Sequence, residues 1–392
     1  MIEVIPYGRQ NITDEDIKAV NDVLRGEYLT QGPKIAEFET AFANYVGAKY
    51  AVAVSNGTAA LHLCAMALGV KEGTRVITSP ITFAASANCI RYCGGEVWFA
   101  DIDPESFTLS LQKTRELLES KPKGFFSGII PVDFAGLPVN LDEFRTLANE
   151  FDCWIIEDAC HAPGGSFLNS YSERVLCGSG KYAELSIFSF HPVKHIATGE
   201  GGMITTNSKE LYDKLNIFRT HGITKNPDLL IENHGGWYYE MQALGYNYRL
   251  TDFQAALGIS QLKRAEEGLK KRSEIAQKYH EELSDLPLIL PKQFDHSTHA
   301  YHLFIIQTDD RKELYDFLKS KNIFAQVHYI PVHLMPYYKN LGWKKGDFPI
   351  AESYYEKCLS LPMFPSLSEK EQEYVIECIL ELYNLHIPKF DH

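Results

Sequence analysis

The chain has 392 residues, of which 45% are apolar and 23% charged, and a formal net charge of −13. That composition belongs to a soluble globular protein of about two or three domains and is too apolar for a disordered one. The acidic balance argues against general nucleic-acid binding, which needs a basic footprint, and no run of about 18 apolar residues offers a membrane span.

The opening Met1–Tyr7 has no basic stretch ahead of an apolar run, so no secretory leader is expected. Thr13-Asp14-Glu15-Asp16 is a capping-box pattern ahead of a helix through 17–20. From residue 50, short β-rich runs alternate with helical stretches. Strands are expected at 50–54, 75–78, 97–100, 128–132 and 153–157, with helices at 58–68, 83–92, 110–119 and 141–149. The alternation predicts an α/β large domain whose mostly parallel sheet is covered by helices on both faces. Such sheets bind ligands outside the carboxyl ends of their strands. After residue 180 the rhythm changes, and strands at 184–188 and 202–206 flank a Gly-rich loop. One long helical stretch is expected over 251–283, with Ile259, Leu262, Leu269 and Ile275 on one stripe. It bridges into a smaller α+β domain with strands at 301–307 and 324–329 and helices at 311–320 and 369–385. The division is placed at 1–255 and 256–392.

Eight cysteines are scattered without a C-x-x-C pair, so no zinc site is expected and a reduced, cytoplasmic compartment fits. His328 and His333 share a proline-bearing loop but lack a third candidate ligand nearby, so no metal site is expected there either.

Four local patterns can carry chemistry. Ser55-Asn56-Gly57-Thr58-Ala59-Ala60-Leu61 follows a strand and opens a helix. Free N–H groups and the positive helix end make such a turn an anion site; alone, it reads equally as a plain N-cap. No Gly-Lys-Ser/Thr follows, so it is not a P-loop. In Trp154–Ala162, Asp158 falls at the end of a buried strand, a costly place for a carboxylate without a cationic partner. It could hold a protonated ring nitrogen or form a structural salt bridge. His161 could pack over the same ligand or be a satisfied loop histidine. Ser186–Lys194, followed by Thr198-Gly199-Glu200-Gly201-Gly202, sets Lys194 between a strand end and a Gly-rich turn. Burial there would leave a neutral amine that attacks carbonyls; a solvated surface lysine is the plain alternative. Ser189 could donate to a phosphate. Gly245–Ala256 crowds polar and aromatic residues ahead of the long helix, with Thr251 as its expected cap.

Taken in order, Ser-Asn-Gly-Thr-Ala-Ala-Leu (55–61), Glu-Asp-Ala-Cys-His-Ala (157–162), Ser-Phe-His-Pro-Val-Lys (189–194), Gly-Glu-Gly-Gly (199–202) and Tyr-Asn-Tyr-Arg-Leu-Thr-Asp (246–252) resemble the DegT–StrS nucleotide-sugar aminotransferases. The resemblance covers nearly the whole chain. It implies fold-type I architecture, pyridoxal 5'-phosphate as cofactor, and a homodimer with sites at its interface. Lys194 would be the Schiff-base lysine, and Asp158 would pair with the pyridinium nitrogen. His161 would lie near the ring and Phe83 would stack on it. Gly57, Thr58 and Ser189 would hold the phosphate, and Asn247 would reach the phosphate in the neighbouring subunit.

Within the family, Ile5–Ile12, Tyr28–Pro33 and Gln326–His333 are similar to enzymes of pseudaminic acid biosynthesis. These transfer the amino group of L-glutamate to a UDP-linked 4-keto-6-deoxy-N-acetylhexosamine. In that reading Tyr7, Gly8, Thr30 and Gln31 lie near the sugar. His328 and Tyr329 come from the small domain or the partner subunit. Arg219, Lys225 and Arg249 could supply the field for a nucleotide diphosphate. A GDP- or dTDP-linked sugar stays open, as does a non-catalytic cofactor-binding regulator. Related sugar dehydratases carry histidine in place of the lysine, and His195 follows Lys194 directly; the Ser-Phe-x-x-x-Lys spacing favours Lys194.

Overall fold

The computed structural model describes residues 4–386. Seven strands form the central sheet: β1 (Tyr50–Val54), β2 (Arg75–Thr78), β3 (Glu96–Phe99), β4 (Gly128–Ile130), β5 (Trp154–Asp158), β6 (Leu185–Ser189) and β7 (Gly202–Thr206). Their order across the sheet is β1-β7-β6-β5-β4-β2-β3. β7 runs antiparallel to β1 and β6, and the remaining neighbours are parallel. Val52, Val54, Ile155, Ile156, Ile187, Phe188, Met203 and Ile204 are buried, as expected of strands covered on both faces.

Helices α1 (Asp14–Leu24), α2 (Pro33–Val46), α3 (Gly57–Ala67) and α4 (Ala85–Tyr92) follow from local signals. At the start of α1, Asp16 reaches back to accept from the Thr13 N–H at 3.0 Å, which is one half of the expected capping box. Pro33 opens α2, where its missing N–H costs nothing. α3 is apolar nearly all round, with Ala59 to Ala65 buried, and it packs against β6, β7 and α4. Among the described residues, no helix is long and apolar enough to cross a membrane.

Three expectations are altered by tertiary contacts. The stretch 251–283 is two helices, Asp252–Leu262 and Ala265–Leu283. Arg264 leaves helical geometry at the break, and its side chain reaches the buried Asp16 at 2.6 Å. Neither glycine nor proline marks this break in the sequence. The strand expected at 324–329 shrinks to Ile323–Phe324, which pairs with Ile5–Pro6. Beyond it, Gln326 makes a single bridge to Ser360. The strand expected at 301–307 begins at Phe304 and pairs with Cys358–Leu361, an element without a strong sequence signal.

α2 is held to the sheet by an aromatic cluster. Phe42 lies 4.8 Å from Phe188 and 5.4 Å from Phe190, ring centre to ring centre, in edge-on geometry. Phe42→Ala should cost about 3–5 kcal/mol, read as a fall in stability on chemical denaturation. A loss below about 1 kcal/mol would show that the cluster does not anchor α2.

Candidate active site

The carboxyl ends of β1, β5 and β6 meet the amino end of β7. Gly202, the first residue of β7, stands opposite Val54 on one side and Ser189 on the other. A cavity of about 920 Å³ opens at this junction. Gly57, Thr58, Asp158, His161, Ser189 and Lys194 line it, as do Phe83 and, on the other wall, Tyr7, His328 and Tyr329. Five expected site residues lie outside it in the single chain. Gly8 abuts Val193, which does line the cavity. Thr30 bridges to Thr251 and Asn247 to Thr220. Gln31 precedes α2, and Arg249 is half-buried beside Tyr248.

Lys194 follows β6 and keeps part of its surface open to the cavity. Its amine lies within hydrogen-bond distance, 3.3 Å, of Nε2 of His302. Among the described residues it has no carboxylate within ion-pair distance. Burial pulls the amine down from 10.5 to about 8; Cys160 and Asp158 oppose the shift, and Arg272 adds to it. His195 turns away from the cavity, donating Nε2–H to the carbonyl of Ala300 at 2.8 Å. The lysine, not the histidine beside it, therefore faces the site.

Asp158 ends β5 and is buried. Its Oδ2 accepts from Ser86 Oγ at 2.6 Å and its Oδ1 from the Cys160 N–H at 3.2 Å. Among the described residues it has no lysine or arginine partner, so its charge remains for a cationic ligand atom. His161 Nδ1 accepts from the Ala135 N–H at 3.2 Å, which leaves the ring proton on Nε2. That nitrogen faces the Tyr329 hydroxyl at 3.3 Å. Burial holds His161 well below its usual range, and the Lys194 charge acts in the same direction, so the ring is neutral.

Asn56 caps α3 by accepting from the Ala59 N–H at 2.8 Å. Gly57 and Thr58, in the first turn, face the cavity. A Cβ on Gly57 would stand 3.0 Å from Cβ of Ser189, so the close approach of helix start and strand end favours glycine here. The start of α3 with the Ser189 hydroxyl suits a phosphate. The cavity therefore offers an anion cradle, a carboxylate for a cationic ring nitrogen, and an amine for a carbonyl.

One correction and several additions emerge. Arg219 is not available to a diphosphate: Glu39 and the Ala53 carbonyl hold it. His328 and His333 do not converge, since His328 pairs with Ser360 at 2.8 Å and His333 with Glu352 at 2.9 Å. Ser86, His62 and His302 were missed. His62 sits in an otherwise apolar helix, a pattern that marks a polar side chain with a buried task, whereas Ser86 shares its helix with Asn88 and Arg91 and carries no such signal. His302 precedes a strand and carries no comparable signal. Asp133, Glu157 and Cys177 also converge in the core. Burial pushes both carboxyls up, and the Glu157 charge raises Asp133 further, so protons are held readily in this group.

The pattern of the DegT/DnrJ/EryC1/StrS aminotransferase family matches residues 10–380. The spore coat polysaccharide biosynthesis protein SpsC of Bacillus subtilis is 39% identical, over 96% of this chain and 97% of that protein. The UDP-4-amino-4,6-dideoxy-N-acetyl-beta-L-altrosamine transaminase of Campylobacter jejuni is 38% identical, over 97% of each chain. Among solved structures, PseC of Helicobacter pylori, an aminotransferase of pseudoaminic acid biosynthesis, superposes with a TM-score of 0.87 at 29% identity, covering 98% of this chain and 100% of that one. Spr1654 of Streptococcus pneumoniae in its pyridoxal-phosphate form gives 0.88 at 27% identity, covering 97% and 99%.

Only the neutral amine attacks an aldehyde. Capture of pyridoxal at Lys194, fixed by borohydride and mapped by mass spectrometry, should therefore accelerate with pH and level off with a midpoint of about 8. A midpoint above about 10 would place the amine in open solvent.

Proposed function

The chain belongs to the DegT/DnrJ/EryC1/StrS aminotransferase family, and from that premise we propose that it transfers the amino group of L-glutamate to C4 of a UDP-linked 4-keto-6-deoxy-N-acetylhexosamine. It is a sugar aminotransferase of fold-type I, dependent on pyridoxal phosphate. The observation that carries the aminotransferase chemistry is the placing of Lys194 and Asp158 on one cavity without a direct ion pair among the described residues; the choice of a UDP sugar rests on similarity to a relative.

The residues present suit the cofactor. Gly57, Thr58 and Ser189 would take its phosphate, Asp158 its ring nitrogen, Lys194 its aldehyde carbon and Phe83 its ring face, with His161 close by. When bound, pyridoxal phosphate supplies the electron sink for a carbanion at the amino-bearing carbon. The Asp158 carboxylate favours a protonated ring nitrogen, which deepens that sink. Lys194 Nζ, when neutral, would be the base that takes the proton from the donor carbon, holds it as ammonium and hands it on to the cofactor side. The Tyr329 hydroxyl, backed by His161 Nε2–H, stays protonated because burial pushes it up, and it can donate to a substrate oxygen.

Tyr7, Gly8, Thr30, Gln31, His328 and Tyr329 form the proposed sugar side. Lys194 is the one lysine or arginine among the described residues that line the cavity, so a diphosphate needs cations from outside it. Arg249 is our candidate. Asn247 is exposed and lies outside its own cavity, which fits a role in the neighbouring site of a homodimer. The similarity to the Campylobacter transaminase supports the UDP sugar. The equal similarity to SpsC favours a second reading, in which another nucleotide-linked 4-keto sugar is the acceptor.

With glutamate and a panel of UDP-, GDP- and dTDP-linked 4-keto sugars, the UDP sugar should give amino sugar and 2-oxoglutarate in equal amounts. Turnover confined to another nucleotide would select the second reading. Lys194→Ala should lose at least about a thousandfold in rate; a normal rate would remove the lysine from the chemistry. Mixing Lys194→Ala with Asn247→Ala protein should restore activity through heterodimers. No restoration after verified subunit exchange would mean that Asn247 serves its own chain.

A further inference from the structure

We propose that His302 is a positioning residue whose Nε2 steadies the Lys194 amine while it carries the proton, and that Arg272 seats His302 for this task. The inference rests on the assignment of Lys194 above and extends it to two residues of the C-terminal half.

The Lys194 amine must alternate between two states. It has to be neutral to take a proton and charged while holding it. Burial and the nearby Arg272 guanidinium shift it toward the neutral state, against the pull of Cys160 and Asp158. The charged state needs an acceptor. Among the described residues, His302 Nε2 is the side-chain hydrogen-bond partner of Nζ, at 3.3 Å. His302 is buried, and burial with the charge of Lys194 keeps it well below its usual range. It therefore accepts a hydrogen bond from the amine without competing for the proton.

The His302 ring is oriented by its packing against His161, ring centres 4.3 Å apart, and by its backbone. Its Nδ1 makes no hydrogen bond among the described residues. The backbone, in contrast, is held on all sides. Ala300 N donates to the Gly136 carbonyl at 2.7 Å and Leu303 N to that of Ala135 at 3.1 Å. Gly136 sits at φ +100°, and a Cβ there would stand 2.9 Å from the His302 nitrogen, so a side chain would push the segment away. His195 binds the Ala300 carbonyl. Arg272 Nη1 donates to the carbonyls of Tyr301 at 3.1 Å, His302 at 3.2 Å and Met363 at 3.0 Å. Arg272 is 1% exposed and has no carboxylate partner among the described residues. A guanidinium buried this way is costly unless its bonds and its charge both serve a purpose. Here one side chain ties the helix Ala265–Leu283 to two segments, and its charge is felt at the lysine.

The groups that face Lys194 are Asp158 and Cys160 at the end of β5, His161 after them, His195 beside it, and Arg272, His302 and His328 from the C-terminal half. Asp158 is the anion of this set, so removing His302 leaves the charge balance unchanged and deletes only the acceptor.

The test combines the pH dependence of pyridoxal capture by the cofactor-free chain with steady-state kinetics of the holoenzyme. His302→Phe should move the capture midpoint down by about one unit, because the ammonium loses its acceptor. It should slow amino transfer about tenfold or more with KM for the nucleotide sugar unchanged. His302→Gln, which can return an acceptor to the position of Nε2, should restore both. If the phenylalanine variant does not fold, His302→Asn, whose amide is too short to reach, replaces it. A folded variant that lacks the acceptor and matches the wild type in midpoint and rate overturns the inference, as does a folded glutamine variant that restores neither. Absence of any capture at Lys194 in the wild type overturns this inference together with the functional assignment beneath it.

Discussion

An amine and a carboxylate must face the same cavity and stay out of each other's reach. Were Lys194 and Asp158 to close into a salt bridge, the amine would be locked as ammonium and the carboxylate would be spent. The parallel neighbours β5 and β6 deliver both residues to one edge of the sheet, Asp158 at a strand end and Lys194 on the loop beyond Ser189. Separate partners then hold them apart. Ser86 and the Cys160 N–H occupy Asp158, while His302 takes the lysine.

The same edge supplies the anion cradle. Gly202 lies between Val54 and Ser189 in the register, so the start of α3 after β1 and the hydroxyl at the end of β6 flank one strand. The antiparallel insertion of β7 makes this possible, because its amino end meets the carboxyl ends of its two neighbours. A Cβ on Gly57 would stand only 3.0 Å from that of Ser189. The C-terminal half contributes the remaining wall. Arg272, buried among backbone carbonyls, joins the helix Ala265–Leu283 to the segment that carries His302.

Much of this was legible from the sequence because its signals are local. Strand–helix alternation is a matter of short-range apolar pattern, and the sheet strands appeared within a few residues of their expected places. Asp158 and Lys194 stood out because charged residues at the ends of apolar strands are out of place unless they have a task. The misses have a different origin. Arg264 breaks a helix because Asp16, far away in the chain, is buried beside it. Arg219 looked available to a ligand until Glu39 was seen to hold it. His302 gave no sign at all, since its importance lies in a lysine more than a hundred residues earlier.

The sequence by itself determined the alternating α/β core, the helix caps and the residue types that face the cavity, since each depends on neighbours a few residues away. Only the tertiary structure decided which arginines are free and where the side chain of His195, next to Lys194, finds its partner. It also decided which histidine meets the amine. Those outcomes depend on burial and on hydrogen bonds between distant segments, and neither is encoded in any short window of the chain.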